Sequence, residues 1–310
     1  MREDELFGLY WWAGLTCVSV FNIFSLLATR KTPFSSGLSA YQRKLTVAAY
    51  VYVAACALRS IFPRLDVERV CFWDSVLSVT LVGRSAAFVA ELCFAWQLSL
   101  VFGRVTDDLA ALSVESSQKN PPGTGFQVVK WVSCCVVPLI FVAQCCCWMG
   151  ITTTQNAWHG VEESIWALVI GTMAVCCAYL RYKISCLPLA APSKNRNSKN
   201  SNYDSGLAEF KTFTSSFVVF GALFVCFMAA VDVPMYIARY RRDTANNVQF
   251  LSVRDGFFDA MVCKEVSKAW ATWAEDVPWM TGYFSVGVWI SIWMVRAPQI
   301  SVPGQKKKNK

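Results

Sequence analysis

The sequence predicts an all-α integral membrane protein, a bundle of seven transmembrane helices with one amphipathic helix on the luminal side. Two observations of composition support this class. Hydrophobic types make up 55% of the 310 residues, and only 16% are charged, whereas soluble domains carry about 25% charged residues. Mean hydropathy is +0.37. The apolar residues also form long continuous runs, which favours helices over barrel strands. An ordinary soluble enzyme, a disordered chain and a nucleic-acid-binding protein are thereby excluded.

Seven apolar stretches are long enough to cross a bilayer, because roughly 20 residues of helix span about 30 Å of hydrocarbon. The predicted crossings lie at about 7–28, 45–62, 76–102, 128–150, 157–180, 212–238 and 277–295. The second is short and ends at Arg59 and Pro63. The whole chain, 1–310, is predicted to be a single polytopic membrane domain.

The Lys and Arg residues in the connections predict the orientation. One side of the membrane receives 18 of the 29 and the other side 9, while Arg59 and Arg84 lie inside crossings. The richer side is expected to be cytosolic. The N-terminus is therefore predicted to be luminal and the C-terminus cytosolic.

Three segments outside the crossings have a recognisable character. Residues 183–210 are rich in Ser, Asn and Lys, which is typical of a mobile loop, here on the cytosolic side. Residues 296–310 form a basic cytosolic tail. In 255–274, apolar side chains recur every three or four positions, which indicates an amphipathic helix. It is expected to lie on the luminal membrane surface or to cover the bundle, the alternative being a packed loop helix without lipid contact.

Two further features bear on the compartment. Cys71 and Cys263 lie in connections assigned to the lumen, where an oxidising environment would allow a disulfide between them; two free thiols are the alternative. Lys307 and Lys308, fourth and third from the end, match a dilysine retrieval signal of the endoplasmic reticulum. A basic tail also serves as a positive-inside anchor. The expected location is the endoplasmic reticulum or another endomembrane.

Charged side chains inside the crossings are the main functional candidates. Each costs about 2.5–3.5 kcal/mol at a helix centre and therefore needs a partner or a water-filled cavity. Six of them are expected in the luminal third, with Glu91 deeper, and Gln144 accompanies them. The seven charged or titratable candidates are Arg59, Arg84, Glu91, His159, Glu162, Glu163 and Asp232.

These residues predict a polar pocket that binds or translocates a small polar solute, ion or lipid headgroup. Arg59 and Arg84 would contact anionic groups, whereas Glu91 and Asp232 would serve protons or cations. One alternative is a lipid-modifying enzyme that uses His159 and Glu163 as an acid–base pair. Another is a non-catalytic receptor or assembly subunit, in which the charges form structural ion pairs between helices.

No catalytic or cofactor motif accompanies the cluster. The chain has no G-x-S-x-G elbow, phosphate loop or dinucleotide fingerprint. A site of His159, Glu163 and Asp232 is a poor match for zinc, which prefers more nitrogen or sulfur ligands. The seventh crossing lacks both a lysine for a retinal Schiff base and an N-P-x-x-Y pattern. The sequence therefore predicts no cofactor, no resident metal and no nucleic-acid partner, and leaves the bilayer and a small polar ligand or lipid headgroup as partners.

Overall fold

The chain is a multi-pass membrane protein built on long helices. A computed structural model describes residues 2–29, 38–117, 123–186 and 198–297. Within these ranges, six helices are long and apolar enough to cross a membrane, namely Glu3–Ala28, Ala40–Ile61, Thr80–Ser113, Thr124–Thr153, Asn156–Cys186 and Leu207–Ala245. The retrieval signal predicted at Lys307 and Lys308 lies outside the described residues, as does most of the basic tail.

The elements follow one another in chain order. They are α1 (Glu3–Ala28), α2 (Ala40–Ile61), β1 (Arg64–Leu65), β2 (Val70–Cys71), α3 (Thr80–Ser117), α4 (Thr124–Thr153), α5 (Asn156–Cys186), α6 (Ser198–Phe227), α7 (Val233–Ala245), α8 (Val253–Asp259), β3 (Glu265–Val266), α9 (Trp270–Trp273), α10 (Val277–Gly282) and α11 (Val288–Met294). Each of the first five long helices, α1 to α5, packs against the next one along the chain.

In two places a π turn joins consecutive α-helices into one continuous helix. Met228–Asp232 joins α6 to α7, and Tyr283–Gly287 joins α10 to α11. Pro234 follows the first π turn and has no N–H to donate to the preceding turn, which favours a local change of helix geometry. We refer to the continuous runs as the α6–α7 helix (Ser198–Ala245) and the α10–α11 helix (Val277–Met294).

The α10–α11 helix occupies the position of the predicted seventh crossing. It covers about 27 Å at 1.5 Å per residue and packs against α1, α2 and α3. It is less apolar than the other six predicted crossings, because it contains Gly282, Gly287 and several Trp and Ser residues. Its role as a seventh crossing stays a prediction.

The predicted mobile loop at 183–210 is wrong at both ends. The α5 helix continues to Cys186, and α6 begins at Ser198. Leu207 and Phe210, which precede the predicted start of the sixth crossing at 212, are buried. Burial of these apolar side chains favours a helix that begins earlier in the chain than predicted. The part of the loop at 187–197 lies outside the described residues.

A small sheet covers the end of the bundle at which α2 ends and α3 begins, which we call the capped end. Strand β1 pairs antiparallel with β2, and β2 pairs in parallel with β3. A disulfide joins Cys71 to Cys263, with their Cα atoms 6.0 Å apart. The sheet and the disulfide together hold the 246–276 segment against the connection between α2 and α3.

The single amphipathic helix predicted at 255–274 is wrong. The segment contains the short helices α8 and α9 with strand β3 between them. The backbone N–H groups of Lys264 and Ser267 donate to the carbonyls of Arg69 and Cys71, at 3.0 Å each. Pairing with a strand almost 200 residues earlier therefore replaces the local helical hydrogen bonds in the middle of the segment.

Candidate ligand-binding cavity

One cavity of about 470 Å³ lies between the helices near the capped end. All seven intramembrane candidates predicted from the sequence line it, namely Arg59, Arg84, Glu91, His159, Glu162, Glu163 and Asp232. They come from α2, α3, α5 and the π turn after α6. The volume falls in the usual range for small-molecule sites, about 300–1,000 Å³.

Arg84 and Glu162 are the centre of a buried polar network. Arg84 Nη2 donates to Glu162 Oε1 at 2.9 Å and to Gln144 Oε1 at 2.6 Å. Gln144 Nε2 donates to Glu91 Oε2 at 2.5 Å. Arg84 Nη1 and Arg59 Nη1 lie 3.7 and 3.9 Å from Glu91 Oε1. Two cations and two anions therefore balance each other across α2, α3, α4 and α5.

Tyr283 completes this network from the α10–α11 helix. Its hydroxyl donates to Glu91 Oε1 at 3.1 Å. The guanidinium of Arg59 lies over the Tyr283 ring at 5.1 Å and over the Phe284 ring at 5.5 Å, which are favourable cation–π distances. Arg59 and Glu91 are thus occupied by partners within the protein.

His159 pairs with Glu162 and not with Glu163, so the predicted His159–Glu163 pair is wrong. The distance from His159 Nδ1 to Glu162 Oε2 is 3.1 Å. The ring stacks on Tyr236 at 5.1 Å between centroids. On its other side it packs against Gly150, where a Cβ would lie 2.9 Å from His159 Nε2. The imidazole is therefore held between α4 and α7, and Nε2 points towards backbone.

Three possible metal ligands lie close together in this region. A sulfur, a nitrogen and an oxygen of Cys147, His159 and Glu162 lie within 4.8 Å of one another. Glu162 already binds the Arg84 guanidinium at 2.9 Å. A divalent cation at this position would have to share the carboxylate with a fixed positive charge, so the set fits a metal poorly.

Glu163 and Asp232 differ from every other charged group that lines the cavity. Among the described residues, Glu163 has no hydrogen bond or ion pair, and Asp232 is 3% exposed with an unpartnered Oδ1. The two carboxyl groups are close enough to interact electrostatically. They face the cavity from α5 and from the first π turn, and on the described cavity wall they are the carboxyl groups without a basic partner.

Arg239 and Asp276 line the cavity at the capped end, and the sequence pattern did not identify them. Arg239 Nη2 donates to Asp276 Oδ2 at 2.6 Å, and Trp279 Nε1 donates to Asp276 Oδ1 at 2.7 Å. Both charged residues lie just outside the predicted sixth and seventh crossings. The sequence feature that could have indicated this ion pair is the presence of opposite charges at the adjoining ends of two predicted crossings.

The β1–β2 connection supplies the remaining polar wall. Arg64 Nε donates to Asp66 Oδ1 at 2.9 Å. Burial opposes ionisation of Asp66, but the guanidinium groups of Arg64, Arg59 and Arg84 outweigh that effect and hold the pKa of Asp66 below its usual value. This side of the cavity is thus covered by the protein itself.

Comparison with known proteins gives no relative. No family model, no curated protein and no solved structure matches the chain.

Proposed function

We propose that this protein is an endomembrane protein whose cavity binds a ligand with a positively charged group, and that Glu163 and Asp232 hold that group. The observation that carries the proposal is the contrast between these two carboxyl groups and the rest of the wall. All other charged residues that line the described cavity have an oppositely charged or hydrogen-bonding partner. Two unpaired carboxylates in a membrane are costly, and a bound cation would neutralise them.

The paired charges argue for a cation and against an anion. Arg59 and Arg84, the residues expected to contact anionic groups, are occupied by Glu91 and Glu162. Glu91, expected to serve protons or cations, is likewise occupied by both arginines and by Tyr283. Of the predicted binding residues, Glu163 and Asp232 retain free carboxyl groups. The network of the others suits the alternative of a non-catalytic receptor or assembly subunit, in which the charges form structural ion pairs between helices.

The acid–base alternative has less support. His159 Nε2, the nitrogen left free by Glu162, points at Gly150 on α4. A general base must approach the proton that it abstracts to about 2.6–3.2 Å, and the packing of the ring leaves little room for a substrate there.

The capped end is proposed to face the lumen of the endoplasmic reticulum or a related compartment. It holds the only disulfide among the described residues, and disulfides persist in oxidising compartments. The Lys and Arg distribution supports the same orientation, with the N-terminus luminal.

Butylamine is a suitable probe for the cationic site. In purified protein, butylamine is expected to raise the melting temperature in a dose-dependent way, whereas butanol and butyrate, of similar size, do not. A ligand at 100 times its Kd stabilises the folded state by about 2.7 kcal/mol. The double variant Glu163→Gln/Asp232→Asn should lose this response.

Two further measurements sharpen the test. Without a ligand, the double variant should melt at a higher temperature than the wild type, because two like charges have been removed. Glu209→Gln, which changes an exposed carboxyl on the same α6–α7 helix, should keep the butylamine response. Unchanged butylamine binding by the double variant would rule the proposal out.

A further inference from the structure

The cavity lies between two helices that contact each other at two widely separated levels. The α6–α7 helix packs mainly against α5, whereas the α10–α11 helix packs against α1, α2 and α3. At the capped end, Arg239 and Asp276 join them. At the other end, the rings of Phe213 and Trp293 stack with centroids 4.4 Å apart. The two contacts are separated by roughly 40 Å of the α6–α7 helix.

Between these contacts the cavity wall becomes apolar and reaches the outer surface. Leu223 on α6 and Val286 on the second π turn both line the cavity, and they are 66% and 42% exposed. Leu223 lies about 14 Å along the helix from Asp232, near the middle of the predicted sixth crossing. The opening between the two helices therefore faces the hydrocarbon of the bilayer.

The wall on the aqueous side is polar and charged, in contrast, and includes the exposed Glu68. The β1–β2 connection and the Arg239–Asp276 pair form the wall at the capped end. A water-soluble cation would have to pass these groups. A molecule already dissolved in the bilayer meets apolar side chains first and the carboxyl groups last.

Both π turns border this opening. Met228 and Asp232 belong to one, Tyr283 and Val286 to the other, and all four line the cavity. A π turn replaces regular i→i−4 hydrogen bonds and occurs frequently at functional sites. One such turn thus lies on each side of the gap, and the first of them carries Asp232.

We infer that the ligand is a membrane lipid with an amine in its headgroup, which enters sideways between the α6–α7 and α10–α11 helices. This inference rests on the proposed function, because it places the ammonium group between Glu163 and Asp232. The hydrocarbon chain lies along the apolar wall past Leu223 and Val286 and continues into the bilayer. Burial of the chain adds to the affinity in proportion to the apolar area removed from water.

The test compares lipids that differ in one property, using the full-length protein in micelles of dodecyl maltoside, a detergent with a neutral headgroup. Native mass spectrometry counts the bound molecules from an equimolar mixture of oleylamine, oleyl alcohol and oleic acid. Oleylamine occupancy should exceed the other two at least tenfold. A second mixture of phosphatidylethanolamine and phosphatidylglycerol distinguishes a phosphate-linked amine from a free one, and preference for the amine in either mixture supports the inference.

Variants at the opening test the sideways route. Leu223→Trp/Val286→Trp should reduce oleylamine occupancy at least tenfold and leave the melting-temperature response to butylamine intact, which also shows that the variant is folded. Val219→Trp changes an exposed residue one turn away on the same helix that does not line the cavity. It should bind oleylamine as the wild type does.

The possible failures are distinguishable. The absence of amine preference in both mixtures would overturn the requirement for an amine. Unchanged oleylamine binding by Leu223→Trp/Val286→Trp would overturn the sideways entry while the cationic site stands. If Glu163→Gln/Asp232→Asn binds both butylamine and oleylamine as the wild type does, the proposed function itself is wrong.

Discussion

Arg84 shows what a single charged residue does in this bundle. Its guanidinium group contacts Glu162 on α5, Gln144 on α4 and Glu91 on its own helix, α3. The sequence predicts that these charges meet, because each is too costly to leave alone in a membrane. It does not predict which carboxylate is paired. Glu162 and Glu163 lie three and four residues after His159, both within reach on a helix, and only the packing of α4 and α7 around the imidazole distinguishes them.

Replacement of Arg84 by Ala should destabilise the protein strongly. Glu162 and Glu91 would remain buried without their main counter-ion, a situation that typically costs about 3–5 kcal/mol. Thermal unfolding in detergent measures the effect, and Arg84→Ala/Glu162→Gln should recover part of the loss. Lys130→Ala breaks an exposed pair with Asp107 and should cost about 0–1 kcal/mol. Equal stability of the two single variants would contradict the structural role of Arg84.

The 246–276 segment shows where a local sequence pattern is insufficient to predict structure. Apolar residues recur at helical spacing from Phe257 to Trp273, yet a strand interrupts the helix at Glu265–Val266. The cause is the contact with β2, which a periodicity argument cannot detect because the partner lies far away in the chain. The long helices are easier to predict, since their hydrogen bonds are local and the bilayer sets their length.

The disulfide between Cys71 and Cys263 should stabilise the capped end. Loss of a native disulfide commonly costs about 2–5 kcal/mol, so a reductant should lower the melting temperature of the wild-type protein. The double variant Cys71→Ser/Cys263→Ser should melt at that lower temperature with or without reductant. If reductant lowers the melting temperature of the double variant as much as that of the wild type, the effect comes from other cysteines.

Composition alone identifies the membrane environment of the protein, and six predicted crossings coincide with long apolar helices. The distribution of Lys and Arg then predicts the orientation, which depends on loops and tails more than on packing. The cavity follows less directly. Its charged residues are evident in the sequence, whereas the opening between two helices depends on which neighbours each helix packs against.

The orientation can be measured with glycosylation acceptor sites. An N-x-Ser/Thr site added before α1 should be modified in the lumen, and one added after the α10–α11 helix should not. The mass shift and its removal by an endoglycosidase provide the readout. Modification of the C-terminal site alone would reverse the proposed orientation. Modification of both sites would mean an even number of crossings.

The way the α6–α7 helix packs has a mechanical consequence. Its principal neighbour is α5, and the ion pair of Arg239 with Asp276 and the stacked rings of Phe213 and Trp293 tie it to the α10–α11 helix. Rotation of this helix about α5 would break those ties while the contacts among α1, α2, α3 and α4 stay in place. We therefore expect an opening movement of the bundle to be a rotation of this one helix about α5, with the other helices as the fixed part.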